Sequence, residues 1–376
     1  MLTRFTAKNA FPNVLATFVW PFKLVNRRML TAPGWNMKNL SSRSLFGVLV
    51  LLTVVTQIAR SQDKSASSTV QVHMVMTAEA PNENEEAPVL RAENVQVNQG
   101  KNMLKVASII PAQGDNAALQ VFVLIDDTCD TSIGNNLNDL RDFINAQPAS
   151  TMVGVAYMLN ATVQIAQNLT ADHELAAKAI RLPRGMTSTM DSPYLSLISL
   201  VKGWPQQKVR REVLMVSDGI DRLRGAQPPT GASPSVAAPR AVRATAPTVA
   251  TLPTISPDAD PASRASQQYG VIVHSIYSPG VGRLGRNAWE AQLGQSNVAK
   301  IADETGGEYF ALGTQNPVSF KPYLDRLQRI FNNQYYLVFQ AVPGKKDGLQ
   351  RVRISTTLTN VEIAAADNVW VPTAGA

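Results

Sequence analysis

Two polar clusters, each at the end of a predicted strand, carry the residue types best suited to chemistry. The first is DDTCD (residues 126–130), which follows the continuous apolar run LQVFVLI (119–125). The second is SDGID (217–221), which follows REVLMV (211–216). Continuous apolar runs are typical of strands buried on both faces of a parallel sheet. Loops at the carboxyl ends of such strands meet in the crevice where open α/β folds bind ligands.

Carboxylate and hydroxyl oxygens that converge in such a crevice could hold a hard cation, since Mg²⁺ prefers an octahedron of oxygen ligands. The other interpretation is structural, because Asp and Thr after a buried strand often cap helices or lie in solvated turns. The spacing of the two clusters does not decide between these interpretations.

The elements that must position these clusters alternate between strand and helix patterns. Strands are predicted at 119–125, 152–159, 162–168, 211–216, 269–277 and 308–312. Helices are predicted at 135–145, 173–180, 193–202, 298–305 and 320–332, with Asp172 and Pro193 as start signals. This alternation predicts a doubly wound α/β domain with a mostly parallel sheet over residues 118–340.

The segments on either side of this domain are β-rich. Residues 62–117 contain strand patterns at 69–80, 89–91, 95–97 and 104–109, and further strand patterns follow from residue 335 to residue 371. We expect the segments 62–117 and 341–376 to pack together as a small flanking β-sandwich. Inside the α/β domain, residues 225–257 hold seven prolines and eight alanines in 33 positions, which predicts a disordered insertion.

The net charge of +7 is concentrated in a leader. Residues 1–61 carry eight Lys or Arg and no acid, which leaves 27 basic and 28 acidic side chains in the rest of the chain. A nearly neutral body without a basic stripe argues against nucleic-acid binding.

The basic stretch after Met37, the apolar run 45–55 and the small residues before Gln62 predict a signal peptide over 37–61, with translation starting at Met37 or Met29. The protein is therefore expected in the periplasm or secreted, with no membrane span in the mature chain; an uncleaved anchor is the alternative.

Cysteine and histidine are scarce. The single cysteine, Cys129, excludes an intramolecular disulfide and a cysteine-based zinc site. His73, His173 and His274 lie far apart without metal-ligand spacing. A nucleophilic cysteine needs a base, and none lies near Cys129 in sequence, so we predict no catalytic residue and no enzymatic activity.

Three motifs together resemble the von Willebrand factor type A (VWA) domain, in particular the bacterial secreted VWFA-related proteins. They are VFVLIDDTCD (121–130), REVLMVSDGID (211–221) and IADETGGEYF (301–310). In the family the first two surround a metal-ion-dependent adhesion site. The resemblance implies that a divalent cation (Mg²⁺, with Ca²⁺ or Mn²⁺ as the other candidates) is held by five residues: Asp126, Thr128, Asp130, Thr187 and Asp218.

The sequence departs from the family pattern at two of these positions. Asp130 stands where the family has a second Ser, and the Gly-Gly-Thr expected around Thr187 is not kept. A third carboxylate would weaken the attraction of the bound ion for an acidic partner, so either a more hydrated ion such as Ca²⁺ or a vestigial site would follow.

The resemblance implies a non-enzymatic binding module that coordinates an Asp or Glu of a protein partner. One alternative is a structural envelope component with a degenerate, metal-free site. A Mg²⁺-dependent phosphohydrolase of the haloacid-dehalogenase type is disfavoured, because Thr128 stands where that motif needs a second Asp.

Overall fold

The structure is a computed structural model that describes residues 69–82, 85, 87–224, 256–282 and 288–373. The predicted signal peptide (37–61) and nearly all of the predicted insertion (225–257) lie outside the described residues. The strands are β1 Val70–Glu79, β2 Val95–Gln99, β3 Asn102–Leu104, β4 Val106–Pro111, β5 Leu119–Asp126, β6 Thr151–Leu159, β7 Thr162–Thr170, β8 Arg210–Ser217, β9 Val271–Tyr277, β10 Tyr309–Phe310, β11 Gln334–Ala341, β12 Gly348–Arg351, β13 Arg353–Thr356, β14 Glu362–Ala365 and β15 Asn368–Val371. The helices are α1 Leu137–Asn145, α2 His173–Lys178, α3 Pro193–Gly203, α4 Ala259–Gln268, α5 Ala288–Thr305 and α6 Lys321–Asn332.

A six-stranded sheet forms the centre of the α/β domain, in the order β10-β9-β8-β5-β6-β7. All neighbouring strands are parallel except β6 and β7, which form an antiparallel hairpin. The hairpin turn uses Asn160 and Ala161 with φ of 49° and 56°, a two-residue turn with both central residues in the left-handed region. When the strands β5–β10 are numbered 1–6 in chain order and the sheet is read from its β7 edge, the strand order is 3-2-1-4-5-6, which is the doubly wound order. The predicted fold class is therefore confirmed.

Strand β5 shows why the sheet has helices on both faces. All eight of its residues are buried. Val121 and Val123 pack in one core with α1, α2 and α6, whereas Phe122 and Leu124 pack in a second core with α3, α4 and α5. Successive side chains of a strand point to opposite faces, so a continuous apolar run needs an apolar layer on each side.

The described segments on either side of the α/β domain meet in the flanking sheets. Strand β1 pairs with β11 along its length, and the four-stranded sheet has the order β14-β1-β11-β4. A three-stranded sheet (β13-β2-β3) and the pair β12-β15 contribute to the same apolar core. The predicted β-sandwich from N- and C-terminal segments is confirmed. Strand β11 lies within the predicted bounds of the α/β domain but belongs to this flanking layer.

One local prediction is wrong. Residues 89–91 do not form a strand, because they have no partner strand and lead directly into the short 3₁₀ turn Ala92–Asn94. Arg210 and Arg211 are both buried, although charged side chains are mostly exposed in proteins. Arg210 donates hydrogen bonds to the carbonyls of Phe331 and Ala117, at 2.8 and 2.7 Å, because β8 is a central strand whose start is covered by neighbouring segments.

Candidate functional site

The two polar clusters lie side by side at the carboxyl edge of the central sheet. Strands β5 and β8 are parallel neighbours with Ile125 opposite Val216, so Asp126 and Ser217 follow on adjacent strands. Ser217 Oγ donates a hydrogen bond of 2.7 Å to Asp126 Oδ2, and Asp218 comes next in the chain. The convergence of the two loops, predicted from their place after buried strands, is therefore what the structure shows.

Asp126 is buried and fully engaged by hydrogen bonds. Its Oδ1 accepts from the backbone N–H of Thr128 (3.0 Å) and from Thr128 Oγ1 (2.8 Å), while Oδ2 accepts from Ser217. Burial and, next, the negative charge of Asp218 raise the pKa of Asp126 to about 6. Asp126 is thus a carboxylate that is costly to ionise, held in place by hydroxyl groups and a backbone amide.

Asp218 is also buried, and an arginine neutralises it. Its Oδ1 accepts from the backbone N–H of Ile220 (2.9 Å), and its Oδ2 accepts from Arg222 Nη2 (2.6 Å). The Arg222 side chain is only 4% exposed. Burial alone would lower the pKa of Arg222, but the charge and hydrogen bond of Asp218 outweigh it and raise the pKa. The pair packs against Gly280, where a Cβ atom would overlap Asp218 Oδ2.

The other two predicted ligands lie in the surrounding loops. Asp130 Oδ1 accepts a hydrogen bond of 2.9 Å from the backbone N–H of Ser132 and so caps the 3₁₀ helix Thr131–Asn136. Thr187 is exposed, next to Gly282. The structure therefore brings Asp126 and Thr128 together through a hydrogen bond, and Asp218 lies near enough for its charge to act on Asp126. Asp130 has the capping role that the structural interpretation of the cluster describes.

Asp127 positions a loop that the sequence does not connect with it. Its buried carboxylate makes two hydrogen bonds with the Arg181 guanidinium, at 2.6 and 2.8 Å, and lies 3.5 Å from Arg184 Nε. The guanidinium of Arg181 also lies 3.6 Å above the ring of Tyr157. The Asp127 carbonyl accepts a hydrogen bond of 3.0 Å from the backbone N–H of Gly185. One buried acid therefore holds the start of the loop that continues through Thr187.

Three loops form a continuous rim above the sheet, which we call the loop rim and define as residues 127–136, 181–191 and 279–282. The backbone N–H of Val281 donates to the carbonyl of Thr128 (2.9 Å), and that of Asp130 donates to the carbonyl of Pro279 (2.8 Å). Gly185 lies against the side chains of Thr131 and Val281. The loop rim is thus tied together by backbone hydrogen bonds as well as by Asp127.

No family model and no curated protein matches the chain. Solved structures are similar to part of it, among them the following two. An aerotolerance-related membrane protein from Bacteroides fragilis, with multiple mutations to serine, is 12% identical, covers 57% of this chain and 99% of its own, and gives a TM-score of 0.37. The VWA domain of SpRpn10 is 11% identical, covers 54% of this chain and 97% of its own, and gives a TM-score of 0.29.

The fold itself agrees with the motifs. The doubly wound sheet, the fully buried β5 and β8 and the two motif loops at one edge are the arrangement that the resemblance implied. The α/β domain has a VWA-like fold. Because the two solved structures are no more than 12% identical to this chain, nothing about binding or assembly is inferred from them.

The residues of the VWA-like domain do not fit a divalent cation as they are arranged here. Both oxygens of Asp218 have hydrogen-bond donors, and one donor is a buried guanidinium. A metal ion at Asp218 would have to share the carboxylate with a like charge or displace Arg222. In the described part of the chain, no group of three or more His, Cys, Asp or Glu side chains is placed to hold a metal ion.

Cys129 lies within the first motif and is a buried residue of the loop rim. Burial first, and then the charges of Asp126 and Asp218, raise the pKa of its thiol. The two histidines that might have activated it have other partners. His274 is 2.8 Å from Glu212, and His173 is 2.8 Å from the carbonyl of Thr151. These contacts favour packing as the role of Cys129, as the sequence suggests.

Sequence reasoning missed the residues that complete the site. Ser217 lies in the second cluster and links Asp126 to the backbone N–H of Gly219, a role that its position in the sequence does not indicate. Arg222 follows Asp218 by four positions, a spacing that pairs opposite charges on a helix, but residues 218–222 are not helical. The sequence therefore gives no signal for this pair. The partnership of Asp127 with Arg181 has no sequence signal, because the two residues are 54 positions apart.

Proposed function

We propose that this protein is an extracytoplasmic protein-binding module that uses the loop rim of its VWA-like domain. The observation that carries the proposal is a group of exposed apolar side chains on a loop that is held in place by a salt bridge to the buried Asp127. Leu182, Met186 and Met190 are 46%, 69% and 54% exposed within nine residues of chain. Grouped apolar exposure at the surface is typical of a protein interface.

The anchoring of this loop makes it suitable for recognition. Asp127 fixes the loop through Arg181 and Gly185, so a partner would meet a surface that is already ordered. Methionine side chains adapt to varied apolar surfaces. Arg184 is also exposed on this loop and could pair with an acidic side chain of the partner. The expected partner surface is therefore apolar and carries an acidic group, as the resemblance to the VWA family implies, but no metal ion lies between the two proteins.

The test is capture of a partner by matched variants. The wild-type chain, the double variant Met186→Glu/Met190→Glu and the control Met103→Glu are immobilised and exposed to an envelope extract of the source organism. Met103 is also 69% exposed, but it lies on β3 in the flanking sheets. Any protein retained by the wild-type chain is then purified, and its affinity for each variant is measured.

We expect the double variant to lose about 10-fold or more in affinity, since apolar contacts at an interface centre are each worth about 1–2 kcal/mol. Met103→Glu should bind like the wild-type chain. Equal loss in Met103→Glu, or full affinity in the double variant, would contradict the loop rim as the binding surface. Full affinity would favour the alternative of a structural envelope component whose contacts lie elsewhere.

The extracytoplasmic location is proposed from the leader sequence. In the described part of the chain, no helix has the length and apolar character needed to cross a membrane. Fractionation of the native cells and N-terminal sequencing of the protein test the location. A mature chain that begins at Gln62 supports export and cleavage, whereas a cytoplasmic protein that retains residues 45–55 contradicts them.

A further inference from the structure

Asp218 is the residue on which a divalent-cation site of this domain would depend, and its carboxylate already has a cationic partner. Arg222 Nη2 lies 2.6 Å from Oδ2, and Nη1 lies 3.4 Å from Oδ1. Both side chains are almost completely inaccessible to solvent. This ion pair is therefore a part of the interior, unlike the exposed pairs that exchange readily with water and salt.

The structure holds the arginine from several sides. Its backbone N–H donates to the carbonyl of Asp191 (2.9 Å), and Nη1 donates to the carbonyl of Ile220 (3.3 Å). Gly280 closes the remaining side, because a Cβ atom at that position would overlap Asp218 Oδ2 and crowd Arg222 Nη2. The guanidinium thus has a fixed place, and the loop rim leaves no room for a larger group between it and Asp218.

The charge of Arg222 reaches both acids of the site. It lowers the cost of ionising Asp126, and the negative charges of Asp218, Asp126 and Asp191 stabilise its own charged form. Two buried carboxylates close together repel each other unless a cation lies near both. A divalent metal ion supplies that cation in a metal site, and here a side chain of the same chain supplies it.

We infer that Arg222 is the resident cation of this site: its guanidinium takes the place and the electrostatic role of a divalent metal ion, and a metal ion can bind only when Arg222 is removed. This inference does not depend on the proposed binding function. The site is then permanently closed to a metal-mediated contact. Arg222, unlike a metal ion, offers no open coordination position to an acidic group of a partner.

The test is a search for a gain of metal binding. The full chain is compared with Arg222→Gln, which keeps an amide donor for Asp218, and with Arg222→Met. The control is Arg224→Gln. Arg224 lies two positions after Arg222 in the chain, is exposed and pairs with Asp258. The melting temperature is recorded in chelator and in millimolar Mg²⁺, Mn²⁺ or Ca²⁺, and bound Mn²⁺ is counted by electron paramagnetic resonance.

The wild-type chain and Arg224→Gln should melt at the same temperature with and without metal and should bind no Mn²⁺ at this site. Arg222→Gln should melt lower in chelator, and at least one of the three ions should raise its melting temperature by a few degrees in a saturable manner. Adding Asp218→Asn to Arg222→Gln should abolish that rise.

Two results would overturn the inference. A saturable metal-dependent rise in the wild-type chain that Asp218→Asn removes would show that a metal ion displaces Arg222. No metal binding by a folded Arg222→Gln would show that the arginine does not stand in the place of a cation. If Arg222→Met does not fold, the wild-type and Arg222→Gln measurements still decide between these results. No partner is used, so failure here and failure of the proposed function are separate outcomes.

Discussion

Asp126 and Asp127 are consecutive buried acids at the end of β5, yet they belong to two different regions of the molecule. Asp126 lies in the closed group with Thr128, Ser217 and Asp218, whose positive charge comes from the buried Arg222. Asp127 pairs with Arg181, which lies partly exposed on the loop rim. Neighbouring side chains at a strand end diverge, so one short motif serves both an internal site and a surface loop.

The difference between the two regions lies in where the counter-charge is. Arg222 cannot reach water if its partner is lost, because it is enclosed by Gly280 and the loop around it. Arg181 and Arg184 can turn to solvent, because they lie at the surface. Removing one member of a pair that is buried on both sides is costly, whereas an arginine at the surface that loses its partner is solvated by water. The region of Asp126 and Asp218 should therefore contribute more to stability than the region of Asp127.

The largest effect is expected from Asp218→Ala. It leaves the Arg222 charge buried without its partner, which costs about 3–5 kcal/mol of the free energy of unfolding. The control is Asp325→Ala on α6, which removes an exposed partner of Lys321 at 2.9 Å and should cost less than about 1 kcal/mol. Chemical denaturation of both variants measures the difference. Equal costs would contradict the internal character of the Asp218–Arg222 pair.

The second prediction concerns pH. The pKa of Asp126 is raised from its ordinary value of 3.8 to about 6, so the folded state binds this proton more tightly than the unfolded state. This stabilising contribution is fully present below pH 3.8 and is lost as the pH rises through 6. Relative to Asp126→Asn, the wild-type free energy of unfolding should therefore rise by about 2 kcal/mol between pH 7 and pH 4, with the rest of the contribution gained below pH 4.

Parallel pH titrations of stability in the wild-type chain and Asp126→Asn provide the measurement, because the other titrating groups are shared. A difference that stays constant from pH 7 to pH 4 would mean that Asp126 titrates at its ordinary pKa. The site would then be more hydrated than the structure indicates.

The third prediction concerns the surface region. Arg181→Ala removes the two guanidinium hydrogen bonds to the buried Asp127, and Arg184, with its backbone N–H at 3.2 Å and its Nε at 3.5 Å, compensates only in part. We expect a loss of about 1–2 kcal/mol, because a buried acceptor loses charged donors. Hydrogen exchange should accelerate in residues 181–191 and remain unchanged in β8. Acceleration in both regions would show that the two acids do not form separate regions.

The smallest effect is expected from Arg184→Ala. Its contact with Asp127 is longer, 3.5 Å, and the side chain is exposed, so the cost in stability should be below about 0.5 kcal/mol. The affinity for the partner captured by the wild-type chain should nevertheless fall if Arg184 pairs with an acidic group there. A large loss of stability with unchanged affinity would reverse the roles of Arg181 and Arg184.

The sequence predicts the central sheet and the layers that cover it, because buried strands consist of apolar residues. The apolar run 119–125 can be stable only with an apolar layer on each face, and that fact places Asp126 at the carboxyl edge of a covered sheet. The same reasoning places Asp218 at this edge. Their closeness follows from the pairing of β5 with β8, which a doubly wound order predicts.

The details of the site escape prediction because they depend on side-chain direction in irregular loops. Arg222 follows a turn that contains Gly219 with φ of 68°, and no periodicity indicates whether its side chain points inward. Arg210 and Arg211 raise the same difficulty, since charge predicts solvent exposure while their place on a central strand buries them. Long-range partnerships such as Asp127 with Arg181 become visible only in three dimensions.

The most direct test of the central claim is a crystal structure of the wild-type protein soaked in Mn²⁺, with an anomalous difference map recorded for manganese. The account predicts no anomalous peak bonded to Asp218 and an Arg222 guanidinium that still donates to Asp218 Oδ2. A manganese peak coordinated by Asp126, Thr128 and Asp218, with Arg222 displaced, would contradict it.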